Sequence, residues 1–231
     1  MVDEFDVAKE SAFSREKLDQ TIPNRLRQLM AVVELSANNL EDWYGQLVVK
    51  LLLAALNESA GLRKTMDEEN LSGAAWNARN CLELWIWAEY CSRSRENAWR
   101  FHSDALRDMK GISEAYDAIC QAAGITNDFK STAQTSLSKA ALERLNLESL
   151  DSNYMKVLEA AKTVNLEGQF APWNKYLSKL AHPTAGLVVG LISGRLDSSK
   201  GLQTCCTTTG MYFAGQIVMV LERIVAEISG A

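Results

Sequence analysis

The stretch that decides the fold is GAAWNARNCLELWIWAEYC, residues 73–91. It holds three of the six tryptophans of the chain, Trp76, Trp85 and Trp87, and its other apolar residues are spread around every face of a helix. A surface helix keeps one polar face, whereas a helix that is apolar nearly all round is typical of a core position. We therefore predict that this segment is a helix buried on most of its sides.

The remainder of the chain also has helical periodicity, and no segment shows sustained alternation of apolar and polar residues. Only three prolines occur in 231 residues, which permits long helices. These patterns predict an all-α protein, a single-domain helical bundle over 1–231 with roughly seven to nine helices. The polar, Ser/Thr-rich region 125–150 is interpreted as a peripheral excursion or a lid.

Several helix boundaries are predicted from capping residues. Gly61 is expected to end the helix that contains LVVKLLLAAL, and Ser72 to cap the helix that follows. Gly124 is expected to close another helix. Because a residue before proline is disfavoured in the α region, the helix WNKYLSKLA should end at His182, before Pro183.

The composition excludes several classes of function. The net charge of −5 does not suggest an extended surface for nucleic acid, although a local basic groove is compatible with it. Five cysteines without zinc spacing predict reduced, mostly buried thiols and no metal site. No cofactor is predicted, because the sequence has no phosphate-binding glycine loop and no dinucleotide fingerprint. The apolar runs are too short to span a bilayer, so no membrane partner and a cytoplasmic location are expected.

Two segments carry candidate chemistry. Arg79 and Glu83 are four residues apart inside the apolar helix, so they share a face and can pair. Such a pair either pins helix register as a structural ion pair or faces a polar pocket. His182 is either a cap for free carbonyl groups at a helix end or a working imidazole. Ser178 lies one turn before His182 on the same side, with Lys175 one turn further back.

The segments ARNCLELWIWAEY, residues 78–90, and YLSKLAHPTA, residues 176–185, together resemble a bacterial family of unknown function in the HEPN-like group of helical proteins. The resemblance implies an Arg-x(4–6)-His motif at a cleft lined by a homodimer, ribonuclease activity, and a toxin or phage-defence context. His182 matches the histidine, with Lys175 at the spacing of the arginine. Arg95 and His102 satisfy the same spacing elsewhere in the chain.

The resemblance also implies a polar cluster between two helices that acts on RNA or a nucleotide. In this hypothesis His182 is the acid/base group, Arg79 a charge that contacts phosphate, and Glu83 the residue that sets the protonation state of the histidine. Further residues are candidates for binding: Tyr176, Ser178, Lys175, Tyr90 and Trp87.

Two alternatives stay open beside this enzyme hypothesis. In the first, the protein is a non-catalytic interaction module and the cluster is structural. In the second, Trp76, Trp85, Trp87 and Tyr90 line a pocket for a small planar ligand.

Overall fold

The computed structural model describes residues 16–36, 43–68, 70–125, 155–182, 184–192 and 199–229. In these ranges every regular element is helical and none is a strand, which confirms the all-α class. A π-helical turn, Lys17–Thr21, precedes eight α-helices. They are α1 Ile22–Ser36, α2 Trp43–Asp67, α3 Leu71–Arg93, α4 Arg95–Ala123, α5 Val157–Thr163, α6 Glu167–Ala181, α7 Ala185–Ile192 and α8 Ser199–Ser229.

The residues cluster into two compact units. The first comprises Met1–Arg95 and Val157–Ala231, and the second Glu96–Lys156. Each is therefore described by itself, and a single domain over 1–231 stays a prediction. The excursion predicted at 125–150 lies, beyond Ile125, outside the described residues.

Helix α3 is the centre of the first unit, as its composition predicts. It packs against α8, α6, α2 and α5. Its Trp85 is buried and stacks on Phe213 of α8 with ring centroids 5.8 Å apart. Ala78 of α3 and Leu177 of α6 are both fully buried. Burial of such side chains from several helices around one element is the main favourable term for this unit.

Helix α2 continues beyond the predicted end at Gly61 and stops at Asp67. The expectation was wrong because this glycine serves packing rather than termination. A Cβ atom at Gly61 would collide with the side-chain amide of Asn77 on α3. A glycine at this position therefore leaves room for the Asn77 side chain against α2.

The predicted cap of α3 is also displaced. Asn70, not Ser72, is the N-cap residue, and its side-chain oxygen accepts the Gly73 N–H at 2.8 Å. Gly124 follows the end of α4 with a positive φ of 67°, so its predicted closing role is confirmed.

The second unit is described mainly through α4. Ala98 and Cys120 are buried in it, as are the carboxyl-bearing residues Asp104 and Asp117. The Asp104 carboxylate accepts the backbone N–H of Met155 at 3.2 Å. This unit therefore uses a buried acidic side chain to hold the segment that follows the undescribed residues.

All five cysteines are free thiols, and four of them are buried, which confirms the predicted thiol state. Burial raises the pKa of Cys91 and of Cys206 to about 12. In the described ranges, no helix is long and apolar enough to cross a bilayer. The same ranges contain no grouping of three or more histidine, cysteine or acidic residues that could hold a metal ion.

Candidate functional site

The backbone places His182 at the end of α6. It is the C-cap residue, with extended φ and ψ of −104° and 150°, and its N–H donates to the Ser178 carbonyl at 3.3 Å. The Thr184 N–H in turn donates to the His182 carbonyl at 2.7 Å. The predicted helix end at His182 is confirmed. Since the backbone supplies the cap, the imidazole is available for other contacts.

The imidazole of His182 reaches across to α3. Its Nε2 atom lies 3.3 Å from Nη1 of Arg79, a contact between residues 103 apart in the sequence. The ring also meets the Trp76 indole edge-on, with centroids 5.6 Å apart and planes at 85°. The convergence of Arg79 and His182 expected from the sequence is therefore observed.

Arg79 is the hub of the site. Its Nε donates to the Asn174 side-chain oxygen at 3.1 Å, and its Nη2 lies 2.8 Å from a Glu83 carboxylate oxygen. With the contact to His182, each of the three guanidinium nitrogens has a different partner. A guanidinium carries five N–H groups. These three contacts leave two of the five N–H groups uncommitted within the described part of the chain.

The ring of His182 faces the guanidinium of Arg79. A guanidinium can only donate, so the 3.3 Å contact is a hydrogen bond in the tautomer that carries its ring hydrogen on Nδ1 and its lone pair on Nε2. The backbone N–H of His182 caps α6, whereas the ring points to α3. The interpretation of the imidazole as a charged helix cap stays a prediction.

The site is open to solvent. The Arg79 and Glu83 side chains are 25% and 27% exposed, and the Trp76 residue is 46% exposed. His182 is exposed as well. The charges are therefore neither sealed in the core nor fully hydrated, which leaves them accessible to an incoming ligand.

Glu83 joins the cluster through Arg79. Its carboxylate pairs with the guanidinium of Arg79 rather than with the imidazole. Its direct contact therefore orients Arg79, and its role in setting the protonation state of His182 stays a prediction.

The structure does not bring every predicted binding residue into this cluster. Tyr176 hydrogen-bonds the Cys205 side chain of α8, and its burial raises the pKa of its hydroxyl. Lys175 is exposed and Ser178 half-buried. Trp87 contacts the buried Tyr90, with ring centroids 5.9 Å apart. These two aromatic residues follow Arg79 by about 12 and 16 Å along α3, at about 1.5 Å per residue.

The aromatic pocket expected from the sequence does not form as predicted. Trp76 and Trp85 are nine residues apart, two and a half helical turns, so they point to opposite sides of α3. Trp85 is 3% exposed and packs against Phe213 in the core. Trp76 faces His182 instead.

The second histidine has a separate environment. His102 lies near Trp99 on α4, with ring centroids 5.9 Å apart. Arg95, its partner in the spacing motif, stacks over the Tyr44 ring at 5.1 Å. Arg95 and His102 belong to different compact units, and each is accounted for by its own aromatic contact.

Asn174 is the member of the cluster that sequence reasoning missed. It precedes Ser178 and His182 by four and eight residues, so helical spacing places all three on one side of α6. Helical spacing also allowed Lys175, three residues before Ser178, to lie on that side. Only the packing of α6 on α3 decides that Asn174 and not Lys175 contacts Arg79.

Comparisons of the chain with protein-family models, with curated proteins and with solved structures find no match.

Proposed function

We propose that this chain is a HEPN-like helical protein that acts on RNA or a nucleotide through His182 and Arg79. One observation carries the proposal: the Nε2 atom of the His182 imidazole lies 3.3 Å from Nη1 of the half-buried Arg79 guanidinium at a solvent-open site. Acid/base groups next to a preorganised cation are what phosphoryl chemistry requires. The two segments that resemble the HEPN-like group supply this pair.

The roles follow from the hydrogen-bonding geometry. Asn174 and Glu83 hold the guanidinium of Arg79 from two helices, which fixes its direction. A substrate phosphate is a stronger acceptor for Arg79 than a neutral imidazole, because charge-assisted bonds are about twice as strong. A phosphate oxygen that takes the place of the imidazole at Nη1 would therefore release Nε2 of His182. The freed lone pair can then take a proton from an attacking hydroxyl and return one to the leaving oxygen.

The same proposal includes the biological setting implied by the resemblance: a bacterial cytoplasmic protein, a toxin or phage-defence context, and a homodimer that lines the cleft. None of these features is needed for the chemistry of the cluster. They make RNA a more suitable substrate than a free nucleotide, because a dimer-lined cleft can hold a longer chain.

His182→Ala tests the chemistry. We expect it to lower the rate of cleavage of a labelled single-stranded RNA by at least about 100-fold, the typical worth of a general acid/base. Helical content and melting temperature, followed by circular dichroism, show whether the variant is folded. Retention of wild-type cleavage by folded His182→Ala would refute the proposal.

Two further variants sharpen the assignment. Arg79→Lys keeps the charge but loses the planar fork, so it should also lose activity. His102→Ala removes the other histidine of the chain. If cleavage is lost in His102→Ala and not in His182→Ala, the activity belongs to the Arg95 motif instead.

A further inference from the structure

Trp76 is an exposed aromatic residue on a mostly buried helix. It is 46% exposed, although it lies in a helix whose other apolar residues are mainly buried. A single exposed apolar residue is ordinary on a protein surface. Trp76 differs because its exposed ring adjoins the ionic cluster: the indole contacts His182, and Arg79 follows three residues later on the same side of α3.

The contact of Trp76 with His182 leaves much of the residue open to solvent. The two rings meet edge-on at 85°, and 46% of Trp76 is exposed. Side chains three residues apart on a helix have Cβ atoms about 5–6 Å apart. This is a separation that the phosphate and the base of one nucleotide can bridge. An exposed aromatic side chain beside a cation can therefore bind one nucleotide at two points: the aromatic side chain contacts the base and the cation contacts the phosphate.

We propose that Trp76 is the base-stacking residue of this site: it holds the base of the nucleotide whose phosphate binds Arg79. The inference rests on the proposed function, since it concerns the same ligand. Stacking is tolerant of base identity, because every base has a π face. Trp76 therefore selects unpaired nucleotides, whose bases are free to stack, without selecting a sequence.

Binding of a short fluorescein-labelled single-stranded RNA, measured by fluorescence anisotropy, tests this inference. The RNA carries 2′-O-methyl groups so that it is not cleaved during the measurement. Trp76→Leu should raise Kd by about 5- to 150-fold, the range that the loss of one stacked base implies. Trp76→Phe keeps an aromatic face and should retain most of the affinity.

The matched control is Tyr116→Leu, which removes an aromatic residue of similar exposure, 50%, in the other compact unit. It should leave Kd unchanged. A second probe is the same RNA with abasic sites. Wild-type protein should bind the abasic RNA more weakly, whereas Trp76→Leu should lose little further affinity, because the stacking partner is already gone.

The outcomes separate this inference from the proposed function. Wild-type affinity in folded Trp76→Leu overturns the stacking role, even where His182→Ala abolishes cleavage. Weakened binding in Trp76→Leu together with normal cleavage by His182→Ala supports stacking and overturns the acid/base role. Failure of the wild-type protein to bind the RNA overturns both.

Discussion

The coupling free energy between Arg79 and Glu83 discriminates between a cluster that binds a ligand and a cluster that only stabilises the fold. A fully exposed pair at this helical spacing contributes about 0.3–0.5 kcal/mol. Removing one partner of a fully buried pair costs about 3–5 kcal/mol. With side chains 25% and 27% exposed, the pair lies between these limits. The cation precedes the anion, which is the less favourable order on a helix. We therefore expect a coupling energy of about 1 kcal/mol.

A double-mutant cycle measures this coupling. The variants are Arg79→Gln, Glu83→Gln and the double substitution, each unfolded in urea and followed by circular dichroism. The control is a second cycle on Lys64 and Glu68, a pair with the same spacing and order but with side chains 74% and 48% exposed. That cycle should give no more than about 0.5 kcal/mol.

Two results would refute this expectation. A coupling of about 3–5 kcal/mol would mean that Arg79 and Glu83 form a core ion pair, which favours the interaction-module alternative. A coupling equal to that of the Lys64–Glu68 control would mean that the ion pair is not maintained in solution. The orientation of Arg79 by Glu83 would then have no support.

Two other predictions concern stability. A Cβ atom at Gly210 would lie 2.8 Å from a Leu62 methyl carbon, so Gly210→Ala should be about 1–3 kcal/mol less stable than Gly215→Ala, whose Cβ meets nothing within 4 Å. Equal stability in urea unfolding would contradict this packing. The raised pKa values of Cys91 and Cys206, about 12 against 9.0, mean that the unfolded chain releases these protons first as pH rises. Stability should therefore fall between about pH 9 and 12, by up to about 1.4 kcal/mol per pH unit for each thiol. Replacing both thiols by alanine should make this dependence less steep, with the buried Cys81 still contributing, and an unchanged slope would count against it.

The sequence was sufficient for the features that depend on local rules. Helical periodicity predicts the all-α class, the spacing of Arg79 and Glu83 predicts their pairing, and Pro183 predicts the helix end at His182. The meeting of Arg79 with His182, 103 residues away, was expected only because two separate segments resemble one group of proteins. No local rule connects them.

The features that the sequence did not predict depend on packing between helices. Gly61 has the composition signal of a helix end, but the approach of Asn77 explains it better. Trp76 and Trp85 have the same chemistry, yet one is 46% exposed and the other 3%. Their side chains point to opposite sides of α3. The position of α6 and α8 around that helix decides which of the two is buried.

The position of the cluster within the α3–α6 contact argues against a purely structural role. Both helices already supply fully buried apolar residues to this unit, such as Ala78 and Leu177. Apolar residues of similar volume usually replace a buried ion pair with no loss of stability, because desolvation offsets the attraction between the charges. Arg79 instead lies at a solvent-open edge, with partners from both helices, and keeps two N–H groups uncommitted among the described residues. A guanidinium held in this way adds little to the stability of the helix pair, but it presents oriented donors to an anion from solvent. Binding of an anion requires a guanidinium that is held in one direction and still has N–H groups to donate. The stability of the helix pair does not require those N–H groups.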